Sequence, residues 1–187
     1  SPVRSIDDLV AQAKKRSLSY GSSGNGTNDH LSTELLSKIY NISMVHVPYK
    51  GTGPALLDLM GGHIDLMFAN IVGAAQMVRN GKLRAIAVTS AQRSSLMPDV
   101  PAIQEITGKP FDVTAWTGIL APAGTDPEIV TKLNREIRAA LQDPKVRETL
   151  AGAGADIVGN SPQEFQQFIV SDIAKWAAVI KAANIRI

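Results

Sequence analysis

The sequence predicts an α/β fold with a mainly parallel sheet, followed by a helical segment that cannot close a sheet by itself. Three observations carry this. Short β-prone runs alternate with helical apolar periodicity from residue 17 to residue 90, with short loops between them, as in βαβ units joined by right-handed crossovers. The run LRAIAVTS at 83–90 is nearly continuous in apolar residues, as suits a parallel strand buried on both faces. From 118–122 onward the pattern turns to helices with large apolar faces and one short strand signal, ADIVG at 155–159. A lone strand makes no sheet, so this part needs a partner surface. The expected organisation is an α/β domain over 1–118 and a helical part over 119–187.

Composition narrows the function classes. Of 187 residues, 44% are hydrophobic and 19% charged, which is enough apolar matter for a core. The 19 Lys+Arg against 17 Asp+Glu leave a net charge of +2, too little for an electrostatic nucleic-acid binder. The absence of cysteine removes disulfides, thiolate metal sites and a cysteine nucleophile. No apolar run approaches the ~18 residues of a membrane span. The first residues, SPVRSIDDLVAQAKK, lack the basic-then-apolar pattern of a secretion leader.

Each element has its own signal. Ser5 caps a first helix, with Asp7 and Asp8 in its first turn and Ile6, Leu9, Val10 and Ala13 on one stripe. SLSYGSS at 17–23 is a strand running into a Gly/Ser loop, and Leu31, Leu35, Leu36 and Ile39 then recur at helical spacing. SMVHVPY at 43–49 alternates, with Met44, His46 and Pro48 on one side and Val45, Val47 and Tyr49 on the other; Pro48 ends the strand. Gly53-Pro54 opens the next helix and Gly61-Gly62 stops it. HIDLMFAN at 63–70 is a third strand, 72–82 a helix and 83–90 a fourth strand. A short helix is expected at 101–107 and an extended segment at 112–125. Asp126-Pro127, Asp143-Pro144 and the capping box Ser161-Pro162-Gln163-Glu164 then open three helices.

The strongest candidate site is the strand-to-helix loop Tyr20-Gly21-Ser22-Ser23-Gly24-Asn25-Gly26-Thr27. Its glycines permit close backbone approach. The hydroxyls of Ser22, Ser23 and Thr27 and the free N–H groups of the following helix form a cradle for a phosphate or carboxylate. It is neither a nucleotide P-loop nor a dinucleotide fingerprint. The same loop also reads as a solvent-facing connection. A second loop, Val47 to Pro54, offers Tyr49 and Lys50, the latter also readable as an exposed lysine. A third offers Asn70, either as a ligand partner or as a helix cap. His30, His46 and His63 have no metal-site spacing. Ser22 or Ser23 as a nucleophile needs a base and an orienting acid that the sequence does not show. Asp65 reads as structural, and Trp116 and Trp176 as core or interface anchors.

YGSSGNGT, VHVPYKGTGPALLDLMGGHIDLMF, GKLRAIAVTS, PDVPAIQE, TGILAPAGT and EFQQFIVSDIAKWAAVIKAANI, in this order, resemble the extracytoplasmic solute receptors of tripartite tricarboxylate transporters, the Bug-type receptors. The resemblance covers essentially the whole chain. It implies a periplasmic binding protein, with no catalysis and no cofactor, that takes a small carboxylate between two lobes and hands it to membrane transporter subunits. It further implies that this chain corresponds to a periplasmic-binding-protein type II-like second lobe plus the C-terminal helices of an incomplete first lobe, with the signal peptide and most of the first lobe absent. Ser22, Ser23, Gly24, Asn25, Gly26 and Thr27 are then the retained half-site, with Tyr49, Lys50, Gly51 and Asn70 nearby. Departures are Ala69, where the family often has Asp, His63, and Asn28-Asp29 before His30. Two rival readings from other classes are a serine-dependent hydrolase and a ligand-independent interaction or sensor module. Apolar faces around Phe165, Phe168 and Trp176 also predict self-association.

Overall fold

Ser5 accepts the Asp8 N–H at 3.1 Å, and the Asp8 carboxylate accepts the Arg4 N–H at 3.0 Å, fixing the start of helix α1 (Ile6–Lys15). Its stripe of Ile6, Leu9 and Val10 is buried as the periodicity requires. The structure, a computed structural model, describes residues 1–183 and 185; residues 184, 186 and 187 of the predicted helical part lie outside the described residues.

Strand β1 (Leu18–Ser22) leads through the glycine loop into helix α2 (Asn28–Tyr40). Strand β2 (Met44–Pro48) ends at its proline, as expected. Helix α3 (Thr52–Gly61) stops at Gly62, which takes the left-handed conformation at φ 75°. Strand β3 (Leu66–Met67) precedes helix α4 (Ile71–Arg79). The three strands form a parallel sheet in the order β2-β1-β3. Leu18 lies opposite Met44 and Ser22 opposite Pro48 on one side of β1; Tyr20 lies opposite Leu66 and Gly21 opposite Met67 on the other.

Alternation along β1 separates the two helices that cover it. Tyr20 reaches α2, donating its hydroxyl to Glu34 at 2.5 Å. Gly21 faces the other way, where a Cβ would meet Ile64 at 2.5 Å, Tyr49 at 3.4 Å and Ala55 of α3 at 3.6 Å. So α2 and α3 pack on opposite faces of the central strand, and the absence of a side chain at Gly21 lets α3 close on it.

Three strand expectations need correction. The third strand is two residues long, not 63–70. Residues 83–90 form no strand: Val88 makes a single parallel bridge with Ala102, donating to Pro101 and accepting from Ile103, while Thr89 accepts from Val113. The apolar run is present, but Val88 and Thr89 bond to the segments at 101–103 and 113 rather than to a ladder on β3. Residues 155–159 have no ladder partner among the described residues and form no strand.

Helix α5 (Ile103–Thr107) completes the α/β part; helices α6 (Pro127–Ala140), α7 (Pro144–Gly152) and α8 (Pro162–Ala183) follow. Asp126 and Asp143 cap α6 and α7, each followed by proline at the first position, as the sequence indicates. The residues fall into two compact units, Ser1–Ala115 with the segment from Ala178, and Trp116–Ala177. The division comes three residues before the sequence boundary, and the chain re-enters the first unit within α8.

The first unit holds the core: Leu18, Tyr20, Leu31, Leu36, Ala55, Leu56, Ile64, Ile103 and Phe111 are buried, with Val179 of α8 among them. Asp65 ties α1 to β1, accepting from Arg16 at 2.5 Å and from the Ser19 N–H at 2.8 Å. Burial works to raise its pKa, but these partners outweigh burial and hold the carboxyl below its ordinary value. In the second unit none of the described residues is buried; Ile119, Leu120, Val158 and Ile173 are 71, 72, 80 and 64% exposed. Trp116 is not a core residue: it is 44% exposed, donates to Asp172 at 3.0 Å and meets Phe165 and Phe168 edge-on at 5.5 Å.

Candidate functional site

The strand order makes β1 a topological switch point. The chain leaves β1 toward β2 on one side, then crosses to β3 on the other, so the loops that follow these strands diverge above β1. Ligands of open parallel sheets bind in that crevice, at the carboxyl ends of the strands. The three predicted loops all lie at this edge: 22–27 after β1, 49–51 after β2 and 68–70 after β3.

Backbone bonds stitch the first two loops together. The Tyr49 N–H donates to the Ser22 carbonyl at 2.9 Å and the Gly51 N–H to the Ser23 carbonyl at 3.2 Å. Gly51 holds φ 107°, a conformation that an L side chain rarely adopts, and this lets the second loop turn back against the first. Tyr49 does not offer a free hydroxyl to the crevice. It donates to Asp58 of α3 at 2.7 Å, and this bond, with burial and the Asp58 charge, raises its pKa. Lys50 is exposed at the rim. Asn70 caps α4, its Oδ1 accepting the Val72 N–H at 3.0 Å, which leaves its amide N–H groups as the donors it can offer.

Several donors of the sequence-predicted cradle are already taken within the loop. The Asp29 carboxylate accepts from the Ser23 N–H at 2.7 Å, from the Thr27 hydroxyl and from the His30 N–H at 3.1 Å. Thr27 therefore precedes α2 without capping it through its side chain. Asp29 thus supplies the negative charge that the helix N-terminus favours. The Ser23 hydroxyl and the remaining first-turn N–H groups are the donors that Asp29 does not engage, and Asn25 is exposed beside them. The sequence marks Asp29 as a departure from the family pattern; an acid at the second helical position after a glycine loop is the signal for its role here. Replacing Asp29 with Ala should cost about 1–3 kcal/mol in urea unfolding, as its partly buried donors lose a charged acceptor. A loss below about 0.5 kcal/mol would show that the loop does not depend on it.

Beneath the loop lies a group that spacing could not reveal. Ser22 is fully buried, and its hydroxyl is 2.5 Å from His46 Nε2. His46 stacks on His30 with ring centroids 3.8 Å apart and on Tyr20 at 4.9 Å. His30 Nδ1 accepts the Gly26 N–H at 3.1 Å. Burial lowers the pKa of both histidines, that of His46 to about 4, with the neighbouring His30 adding to the effect. Among the described residues no group of three or more His, Asp or Glu could hold a metal ion. The Ser22–His46 contact pairs the groups of a nucleophile and a base, with the Ser22 hydroxyl fully buried.

In an open parallel sheet, three loops gathered at a switch point mark the place where a ligand site would lie. Residues 1–185 match the family model "Tripartite tricarboxylate transporter family receptor", and the chain belongs to that family. It is 36% identical over 185 residues to Protein BugT of Bordetella pertussis, covering 98% of this chain and 57% of that protein. Among solved structures it is similar to R. palustris Rpa4515 with adipate, at TM-score 0.86 and 36% identity, covering 98% of this chain and 62% of that one. It is also similar to MatC (Rpa3494) from Rhodopseudomonas palustris with bound malate, at TM-score 0.78 and 32% identity, covering 96% and 63%. The chain thus spans about half to two-thirds of the length of these relatives. No helix among the described residues is long and apolar enough to cross a membrane.

Proposed function

We propose that this chain is the ligand-binding lobe of a periplasmic solute receptor for small carboxylates, which passes its ligand to membrane transporter subunits. The observation that carries the reading is the convergence of the loops at 22–27, 49–51 and 68–70 on the switch point of β1. The relatives with adipate and malate support the ligand class. Ser22 and Gly24 shape the loop, with Gly26 and Thr27. Ser23, Asn25 and Asn70 donate to the carboxylate; Tyr49 and Gly51 hold the second loop in place, and Lys50 supplies positive charge at the rim. Ligands such as the malate and adipate of those relatives are polar, multivalent acceptors, for which convergent donors serve better than an apolar pocket.

The loops cover only one side of a ligand, since Asn25, Lys50 and Asn70 are exposed. Binding sites usually bury about 70–90% of a small ligand. The chain by itself should therefore bind malate and adipate with dissociation constants in the millimolar range or weaker, roughly 4 kcal/mol. Ligand-observed NMR measures this, and a submicromolar constant on the same chain would contradict it.

The rival hydrolase reading draws on the Ser22–His46 contact. We read that contact as structural, because Ser22 is fully buried. Ester turnover that Ser22→Ala abolishes would reverse this. We further propose that the exposed apolar side chains of the second unit promote self-association. Light scattering should find dimers or larger species, and a monodisperse monomer would contradict it.

A further inference from the structure

Ring nitrogens of a buried histidine, His30, and a half-buried one, His46, hold the glycine loop. His30 is 6% exposed, and its Nδ1 accepts the Gly26 N–H. A nitrogen that accepts carries no proton, so His30 is neutral, with its hydrogen on Nε2. His46 Nε2 lies against the Ser22 hydroxyl, which in turn accepts the Gly24 N–H at 3.2 Å. Two amides of the loop thus hang from the stacked pair, Gly26 directly and Gly24 through Ser22. Gly24 and Gly26 have φ of 147° and 74°, which glycine reaches freely, and these bonds select that shape.

The two histidines differ in how they tolerate a proton. Ser22 can turn its hydroxyl to the Gly24 carbonyl, 3.0 Å away, and accept from a protonated His46. His30 has no such alternative: a proton on Nδ1 would face the Gly26 N–H, donor against donor. We propose that the His30–His46 stack positions the glycine loop for ligand and that a proton entering the stack releases the loop, making carboxylate binding there acid-sensitive. The binding half of this rests on the carboxylate reading above; the tether itself does not.

The surroundings support a stack that is neutral at pH 7. From β1, Tyr20 stacks on His46 and gives its hydroxyl to Glu34. From α2, Asp29 and Glu34 favour a charged His30, and Asp29 also favours a charged His46. From β2, His46 itself opposes a second charge 3.8 Å away. Burial outweighs the carboxylates for both rings. The stack therefore takes its proton on the acid side of the ordinary histidine range.

The test follows backbone amides of the ligand-free, 15N-labelled chain from about pH 7.5 to 4.5. The Gly24 and Gly26 signals should move together with one midpoint below pH 6.5, and protection of the Gly26 amide from exchange should fall about tenfold. His30→Asn offers a non-titrating acceptor in place of Nδ1; it should keep the neutral-pH signals and flatten the profile. His30→Leu should lose them at every pH and weaken malate binding at pH 7 about tenfold. Glycine signals that ignore pH in the parent chain, or an unchanged midpoint in His30→Asn, would overturn the tether. Equal malate affinity in the parent chain and both variants would overturn the positioning role. A loop that titrates as stated in a chain that takes no malate at pH 7 would support the tether and sink the carboxylate reading. If His30→Leu loses its dispersed spectrum, the His30→Asn profile decides.

Discussion

Tyr20→Ala should lower the unfolding free energy of the first unit by about 3–5 kcal/mol. Tyr20 has no exposed surface, lies on the central strand, stacks on His46 and donates to Glu34. Burial, reinforced by the Glu34 carboxylate, holds its phenol far above the usual range, so the hydroxyl stays a donor at any working pH. Removing the ring leaves a cavity between α2 and the sheet and withdraws the floor from the histidine stack. Small domains are stable by about 5–15 kcal/mol, so this change takes a large share. Tyr20→Phe keeps the ring and forfeits one hydrogen bond to a partly exposed acid, for about 0.5–1.5 kcal/mol. Urea unfolding followed by circular dichroism separates the two. A Tyr20→Ala loss under about 1.5 kcal/mol would mean that the β1–α2 interface is not the core described here.

Stability should also fall as pH drops from about 6.5 toward 4. His30 and His46 are lowered below the ordinary histidine value of 6.5, His46 to about 4. Between the two values the unfolded chain binds more protons than the folded one, so unfolding becomes more favourable as the solution is acidified. The full contribution is present above pH 6.5. The slope is up to about 1.4 kcal/mol per pH unit for each group. Below this window the depressed carboxyl of Asp65 acts in the same direction, since its stabilisation is lost as it protonates. His46→Gln should make the upper limb shallower, leaving the His30 contribution and the lower limb in place. Identical pH profiles for the parent chain and His46→Gln would refute the assignment.

Several features were legible in the sequence because one residue decides them locally. Ser5, Asp126 and Asp143 cap their helices as read, and Pro48 ends β2. The glycine loop follows a strand and opens a helix, as its composition requires. What escaped depends on partners distant in sequence. The run 83–90 has strand composition, yet a ladder needs a neighbour in register, and Val88 and Thr89 bond instead to Pro101, Ile103 and Val113. Asp29 closes the loop on Ser23 only once the loop has folded back. His30 and His46 meet because β2 pairs with β1 so that His46 falls beside Tyr20, under the first turn of α2. No spacing along the chain encodes that encounter. The apolar face read around Phe165, Phe168 and Trp176 is exposed only in part: Phe168 is 39% exposed, while Phe165 and Trp176 are half-buried.

The carboxylate-binding lobe is tested most directly by mapping malate onto the amides of the 15N-labelled chain at neutral pH, at tens of millimolar ligand. The account predicts saturable shifts concentrated at Ser23, Gly24, Asn25 and Gly26, at Lys50 and Gly51, and at Asn70, with smaller ones elsewhere on the sheet edge. Shifts confined to the second unit, or none at these loops while the spectrum stays dispersed, would contradict it.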